Sequence, residues 1–200
     1  MPNAAHAGTA LFLKRWLRRP LSVGAVMPSG RWLTQAMARY TTAALAGQAG
    51  YVLELGAGTG EVTRALLAAG IPVDRLALVE RDPELVAFLR RHIPGPKIIE
   101  GDAARLPQLL AANGIAQVAV VVSSLPLLSL PAEVVRGIVE GAFQLLPPGG
   151  VLVQFTYGPS PPVPKILRAE FGLVGTRSRR IWRNVPPAVV WTFTRPSKCD

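Results

Sequence analysis

The chain has 200 residues, a single cysteine and half of its residues apolar, which fits one domain with a sizeable core and excludes a disordered or disulfide-framed polypeptide. Its formal net charge is +10. No acid precedes Glu54, and from Val151 onward every charged residue except Glu170 and Asp200 is basic, so two basic ends flank a balanced middle and point to an anionic partner, nucleic acid or lipid.

In chain order, residues 1–9 are small and polar and read as a loose terminus. Leu11 to Arg19 reads as a helix with Phe12, Leu13, Trp16 and Leu17 on one side and Lys14, Arg15, Arg18 and Arg19 on the other. A cationic face opposite an apolar face with a tryptophan suits a helix lying in a membrane interface. Each basic residue near an anionic leaflet contributes roughly 1 kcal/mol. Packing on the chain's own domain is the alternative. Leu21 to Gly30 is a loop, and Ser29 is placed to cap a helix from Arg31 to about Leu45.

Tyr51 to Leu55 reads as a buried strand with an acid, Glu54, inside it; Gly56, Gly58 and Gly60 then turn the chain into the helical pattern Glu61–Ala69. Strand, glycine turn and helix form the nucleotide-binding opening of a doubly wound α/β domain. The glycines are spaced Gly-x-Gly-x-Gly and followed by Glu61, whereas a dinucleotide turn is Gly-x-Gly-x-x-Gly. A carboxylate there would repel a pyrophosphate, and Glu54 can pair with a cationic amino-acid tail. An NAD-binding domain is the competing reading.

A second strand, Arg75–Glu80, ends in Glu80, placed to accept bonds from both ribose hydroxyls. Asp82 caps a helix from Pro83 through His92. Lys97–Glu100 is a short third strand leading to Gly101-Asp102, and Arg105–Asn113 is helical. A fourth strand, Ala116–Val122, runs into Ser123-Ser124-Leu125-Pro126-Leu127-Leu128. Ligands of open α/β sheets bind at the carboxyl ends of strands, so this turn is expected to face the reacting centre. A helix from Pro131 to Leu146, a Pro-Pro-Gly-Gly turn and a fifth strand Val151–Thr156 follow, with Tyr157 at the carboxyl edge. A Pro-rich loop and short helix over 160–171 precede two strands, about 172–182 and 188–194, expected to pair as a hairpin with one antiparallel member.

The run Leu53-Glu54-Leu55-Gly56-Ala57-Gly58-Thr59-Gly60 resembles the first motif of class I S-adenosylmethionine (SAM) methyltransferases. Val23-Gly24-Ala25-Val26-Met27-Pro28-Ser29-Gly30 and the Leu125-Pro126 turn resemble segments of bacterial phospholipid N-methyltransferases, and the turn is also similar to that of rRNA adenine dimethylases. The resemblance implies a Rossmann-like α/β fold: a seven-stranded, mostly parallel sheet with helices on both faces, over 31–200, preceded by a membrane-binding amphipathic helix and cofactor-covering loop over 1–30. It implies SAM as cofactor, held by Glu54, Gly56, Ala57, Gly58, Thr59, Gly60, Glu80, Arg81, Asp102, Ala103 and Ser123, with Met27 in the covering loop. Asp102 would bond the adenine amino group, with Ala103 beside the ring. It further implies stepwise methylation of phosphatidylethanolamine, through mono- and dimethyl forms, to phosphatidylcholine.

Methyl transfer from a sulfonium to an amine needs alignment and exclusion of water, not a covalent intermediate, and the sequence shows neither a nucleophile–base pair nor a metal-ligand set. Ser123 and Tyr157 are the candidate catalytic residues, Tyr157 as a π-face for a methylated ammonium. Trp16, Leu17, Arg18, Arg19, Leu125, Lys165 and Arg180 are the candidates for contact with membrane or headgroup. At the position where the dimethylases carry an aromatic stands Leu127, which favours a lipid over a flipped base. The expected partners are an anionic membrane and phosphatidylethanolamine, with no nucleic acid. The chain is expected to be a cytoplasmic monomer, peripheral on the inner membrane face. The competing readings are an RNA adenine methyltransferase and a non-catalytic surface-binding adaptor.

Overall fold

A computed structural model describes residues 30–196. The expected amphipathic helix with Trp16, Leu17, Arg18 and Arg19, the loop carrying Met27, the cap at Ser29, and Cys199 all lie outside the described residues. Helix α1 (Arg31–Leu45) is capped at Gly30 with no side-chain bond. It is followed by β1 (Tyr51–Leu55), α2 (Glu61–Ala68), β2 (Leu76–Glu80), α3 (Pro83–His92) and β3 (Lys97–Glu100). Then come α4 (Leu106–Ala112), β4 (Val118–Ser123), α5 (Ala132–Leu145), β5 (Val151–Thr156), α6 (Lys165–Glu170), β6 (Val174–Arg177) and β7 (Val189–Thr194).

The strands form one seven-stranded sheet in the order β3-β2-β1-β4-β5-β7-β6. The pairs among β1 to β5 are parallel, and β7 runs antiparallel to both β5 and β6. Strands β2 and β4 carry the all-apolar run that burial on two faces requires: Leu76 to Val79 and Val118 to Val122 are all buried. Alternate residues feed two cores. Leu53, Leu55, Val121 and Leu152 pack with α4 and α5 through Leu106, Leu110, Ile138 and Val139. Val52, Val120, Val122 and Val153 pack with α1 and α2 through Leu33, Met37, Val62 and Leu66. The order of strands reverses between β1 and β4, which places a ligand crevice at their carboxyl ends.

Two boundaries differ from the sequence reading in ways that matter. Ser123 is the last residue of β4, not part of the turn, and is fully buried. The first terminal strand is shorter than 172–182, because the Ser178 side chain intervenes: its Oγ accepts the Val190 N–H at 3.0 Å. The chain then pairs again at an isolated bridge between Ile181 and Ala188, the residue before β7.

Candidate active site

The turn from β1 to α2 is built on backbone geometry. Gly60, the N-cap of α2, has φ 81°, a left-handed conformation that L side chains resist. A Cβ there would also collide with Ile93 of the segment after α3. The ends of neighbouring strands are tied to this turn. The Gly56 N–H donates to the Val79 carbonyl at 2.8 Å, and the Ser124 N–H donates to the Leu55 carbonyl at 2.9 Å.

Two acids stand on either side of the turn. Glu80, at the end of β2, is nearly buried, and its carboxylate accepts three backbone N–H bonds: Gly58 on Oε2 at 2.9 Å, Arg81 and Asp82 on Oε1 at 2.7 and 2.9 Å. It therefore clasps the glycine turn to the start of α3. Of the four acceptor positions of a carboxylate, one remains, on Oε2. That serves one ribose hydroxyl; accepting both requires a backbone bond to open.

Glu54, inside β1, is fully buried on the α1–α2 side. Its Oε2 accepts the Thr63 hydroxyl at 2.7 Å, while its Oε1 is buried with no partner among the described residues. Desolvation, and secondarily the charge of Glu80, outweigh the Thr63 bond and push its pKa up to about 8. The carboxyl is thus mostly protonated at neutral pH until a cation approaches it. An orphaned buried carboxyl oxygen is costly to leave unmade, and a ligand ammonium is the partner that would satisfy and ionise it.

Beyond the turn, a solvent-open cleft is lined by Gly56, Glu80, Arg81, Asp102, Ala103 and Leu125, all six of them candidates from the sequence. Asp102 accepts the Ala104 N–H on Oδ1 at 3.0 Å, and its Oδ2 lies 3.7 Å from the Arg81 guanidinium. The other wall was missed: Leu130, Val134 and Ile138, from the end of the Leu-Pro turn and from α5. The only signal for it was the apolar stripe of α5, which reads as ordinary core. An acid at one end and an aliphatic wall suit a flat purine with an exocyclic amine.

The remaining predicted residues are placed around this cleft rather than in it. Ala57 is buried; Thr59 is exposed, and its carbonyl accepts from Arg64 at 3.0 Å. Ser123 Oγ accepts the Leu125 N–H at 3.3 Å, so it shapes the turn from below. Ser124, part of the expected turn but not among the candidate site residues, leaves a buried Oγ without a partner among the described residues. Gln154 also holds the turn, donating from Nε2 to the Leu125 carbonyl at 2.9 Å. Leu125 lies over the glycine turn, with Cδ2 2.6 Å from where a Cβ on Gly56 would stand. Tyr157 follows β5 and meets Phe155 edge-on at 5.3 Å. Lys165 opens α6 on the surface, and the Arg180 guanidinium lies over the Trp182 ring; neither lines the cleft. Leu127 is a correction: it sits in a short 3₁₀ turn and is 3% exposed within the core, so it cannot face a substrate. Its neighbour Leu128 is the exposed one, at 54%.

Comparison with known proteins agrees with this geometry. A model described as "Methyltransferase domain" matches residues 52–150. The chain is 34% identical over 152 residues to an ornithine lipid N-methyltransferase of Singulisphaera acidiphila, covering 74% of this chain and 78% of that one. A ribosomal RNA small subunit methyltransferase A of a Synechococcus species is 44% identical over 71 residues, but these make up 32% of this chain and 24% of that protein. Among solved structures, a Burkholderia thailandensis 1,6-didemethyltoxoflavin-N1-methyltransferase with bound S-adenosylhomocysteine superposes with a TM-score of 0.69 at 16% identity, covering 98% of this chain and 92% of that one. SAM, when bound, would supply an electrophilic methyl group on sulfur; Glu54, Glu80, and Asp102 with Ala103 are the candidates to meet its ammonium, its ribose and its adenine. With a glycine turn between two buried acids and a relative matched over most of its length, the chain belongs to the class I SAM-dependent methyltransferases.

Proposed function

We propose that this enzyme methylates the amine of a membrane-lipid headgroup, with phosphatidylethanolamine as the acceptor, stepwise through mono- and dimethyl forms toward phosphatidylcholine. The observation that carries the reading is the 34% identity to an ornithine lipid N-methyltransferase, over 78% of that protein. With SAM bound, the neutral amine would take the methyl group in line as the carbon–sulfur bond breaks, leaving S-adenosylhomocysteine, and the nitrogen would give up its proton to water or a nearby carboxylate. The protein has to align the amine and exclude water. The cleft and turn are lined by aliphatic side chains, Leu125 and Leu130 among them, which tolerate neighbouring acyl chains. Arg180 and Arg183, which have no ion-pair partner among the described residues, suit the headgroup phosphate. The test is incubation of the enzyme with methyl-labelled SAM and mixed phospholipids, followed by solvent extraction. Label in methylated phosphatidylethanolamine supports the proposal; label in another amine lipid alone corrects the acceptor.

Methylation of adenine in RNA is the second reading, favoured by the short match to the ribosomal RNA enzyme. Against it, no aromatic side chain lines the cleft among the described residues, and Leu127 is in the core. A flipped base would lack its stacking platform.

A further inference from the structure

The loop between β6 and β7 is not part of the cleft, yet it is the most unusual surface among the described residues. Trp182 and Val185 are 73% and 70% exposed, although both are large apolar side chains in a short, well-anchored loop. Asn184, 1% exposed, fixes the loop from within: its Nδ2 donates to the Pro186 carbonyl at 2.7 Å, and its N–H to the Ile181 carbonyl at 3.2 Å. The exposure is therefore built in. Basic residues surround these tips. Arg180 lies 5.4 Å from the Trp182 ring centre; Arg183 and Arg31 lie 4.9 and 4.7 Å from that of Trp32, at the start of α1. None of these arginines has an ion-pair partner among the described residues. No acid occurs between Glu170 and Asp200.

Topology fixes where this patch sits. Val189, the first residue of β7, pairs with Thr156, the last of β5. The loop therefore lies at the carboxyl edge of the sheet, the edge that also carries Gly56, Glu80 and Asp102. Gly30 packs against Asn184 at the same corner, with Asn184 Oδ1 2.5 Å from where a Cβ would stand.

We infer that the 178–188 loop and the start of α1 form a membrane contact, in which Trp182 and Val185 enter the interface of an anionic bilayer while Arg31, Arg180 and Arg183 meet lipid phosphates. Exposed tryptophan and aliphatic tips rimmed by arginines match the apolar-to-polar gradient of a bilayer surface and its negative potential. RNA fits less well: guanidinium groups already lie over the Trp32 and Trp182 rings, whereas bases stack on open faces, and Val185 offers a base nothing. The inference deepens the lipid reading and rests on it. It brings the bilayer to the edge where the cleft opens, so that a headgroup need leave the interface only slightly to react.

The experiment uses the full chain and phosphatidylcholine vesicles with or without phosphatidylglycerol, the acyl chains brominated. Brominated anionic vesicles are expected to quench the wild-type emission more than that of Trp182→Phe, because bromine quenches only tryptophans that enter the acyl region. A Trp182→Ser/Val185→Ser variant is expected to bind anionic vesicles about tenfold more weakly, as loss of a large apolar contact implies. Its affinity for S-adenosylhomocysteine, read by calorimetry, should stay unchanged and shows that it is folded. Equal quenching with unchanged vesicle affinity overturns the inference. So does displacement of the vesicles by RNA, or shielding of Trp182 from acrylamide without lipid, which would mean that the chain's own first 29 residues cover the patch. If the wild type methylates no lipid while the double variant still loses vesicle binding, the membrane contact stands and the lipid-substrate reading fails.

Discussion

Glu54→Gln probes the buried acid that the whole site is arranged around. The side chain is fully buried, with one oxygen bonded to Thr63 and the other unpartnered, and burial pushes its pKa from 4.5 to about 8. In the unfolded chain the same carboxyl ionises near its ordinary value, so between about pH 5 and pH 8 the folded protein holds one proton more. A raised folded-state pKa gives a contribution that is fully present below the unfolded pKa and is lost as pH rises through the folded one. The loss is about 1.4 kcal/mol per pH unit, or roughly 3 kcal/mol from pH 5 to pH 7. Glutamine mimics the protonated form and does not titrate. Urea unfolding of the cofactor-free wild type and variant across this range should show the variant gaining stability relative to wild type by that order, with the difference levelling off below pH 4 and above pH 9. S-adenosylhomocysteine should bind the variant about 10- to 100-fold more weakly, since a buried charge-assisted bond is worth roughly 1.5–3 kcal/mol. For the wild type at pH 7, calorimetry in buffers of different ionisation enthalpy should register proton release on binding. A stability difference that stays flat from pH 5 to pH 8 would refute the assignment of a neutral buried carboxyl.

Gly60→Ala should weaken both fold and cofactor affinity, because the left-handed backbone costs roughly 1–2 kcal/mol and the added methyl meets Ile93; denaturant midpoints and calorimetry measure the two effects. Leu127→Ala should cost about 2–5 kcal/mol in urea unfolding as a core truncation, while Leu128→Ser, at an exposed position, should change stability by less than about 0.5 kcal/mol. The reverse ranking would restore Leu127 to the surface. Arg136→Ala, which removes the ion pair to Glu170 at 2.6 Å, should leave the unfolding midpoint within scatter, because both partners lie at the surface, where water screens the pair.

The parts of the molecule written in local sequence were the legible ones. The glycine turn announces itself because Gly60 must adopt a backbone few residues tolerate, and Asp82-Pro83 marks a helix start because a carboxylate there accepts the free N–H groups of Glu84 and Leu85. The central strands β2 and β4 were legible because burial on both faces demands unbroken apolar runs. What depended on packing was not. Leu127 and Leu128 are equivalent in sequence, and only the 3₁₀ turn after Pro126 decides which enters the core. Val134 and Ile138 line the cleft because α5 packs against the Ala103–Arg105 turn after β3, a relation that periodicity cannot express. The early end of β6 turns on one hydroxyl, that of Ser178, bonding across to Val190. Glu54 was placed as an acid for a cationic tail, but its complete burial and its bond to Thr63 emerge only from the contact of β1 with α2.

The most direct test of the account offers the purified enzyme methyl-labelled SAM together with phosphatidylethanolamine vesicles and ribosomal RNA in one reaction, and locates the label by mass spectrometry. The account predicts methyl groups on the headgroup nitrogen, appearing first singly and then in higher forms, with the RNA unlabelled. Label confined to adenine in the RNA, or none in either acceptor while S-adenosylhomocysteine still binds, would contradict it.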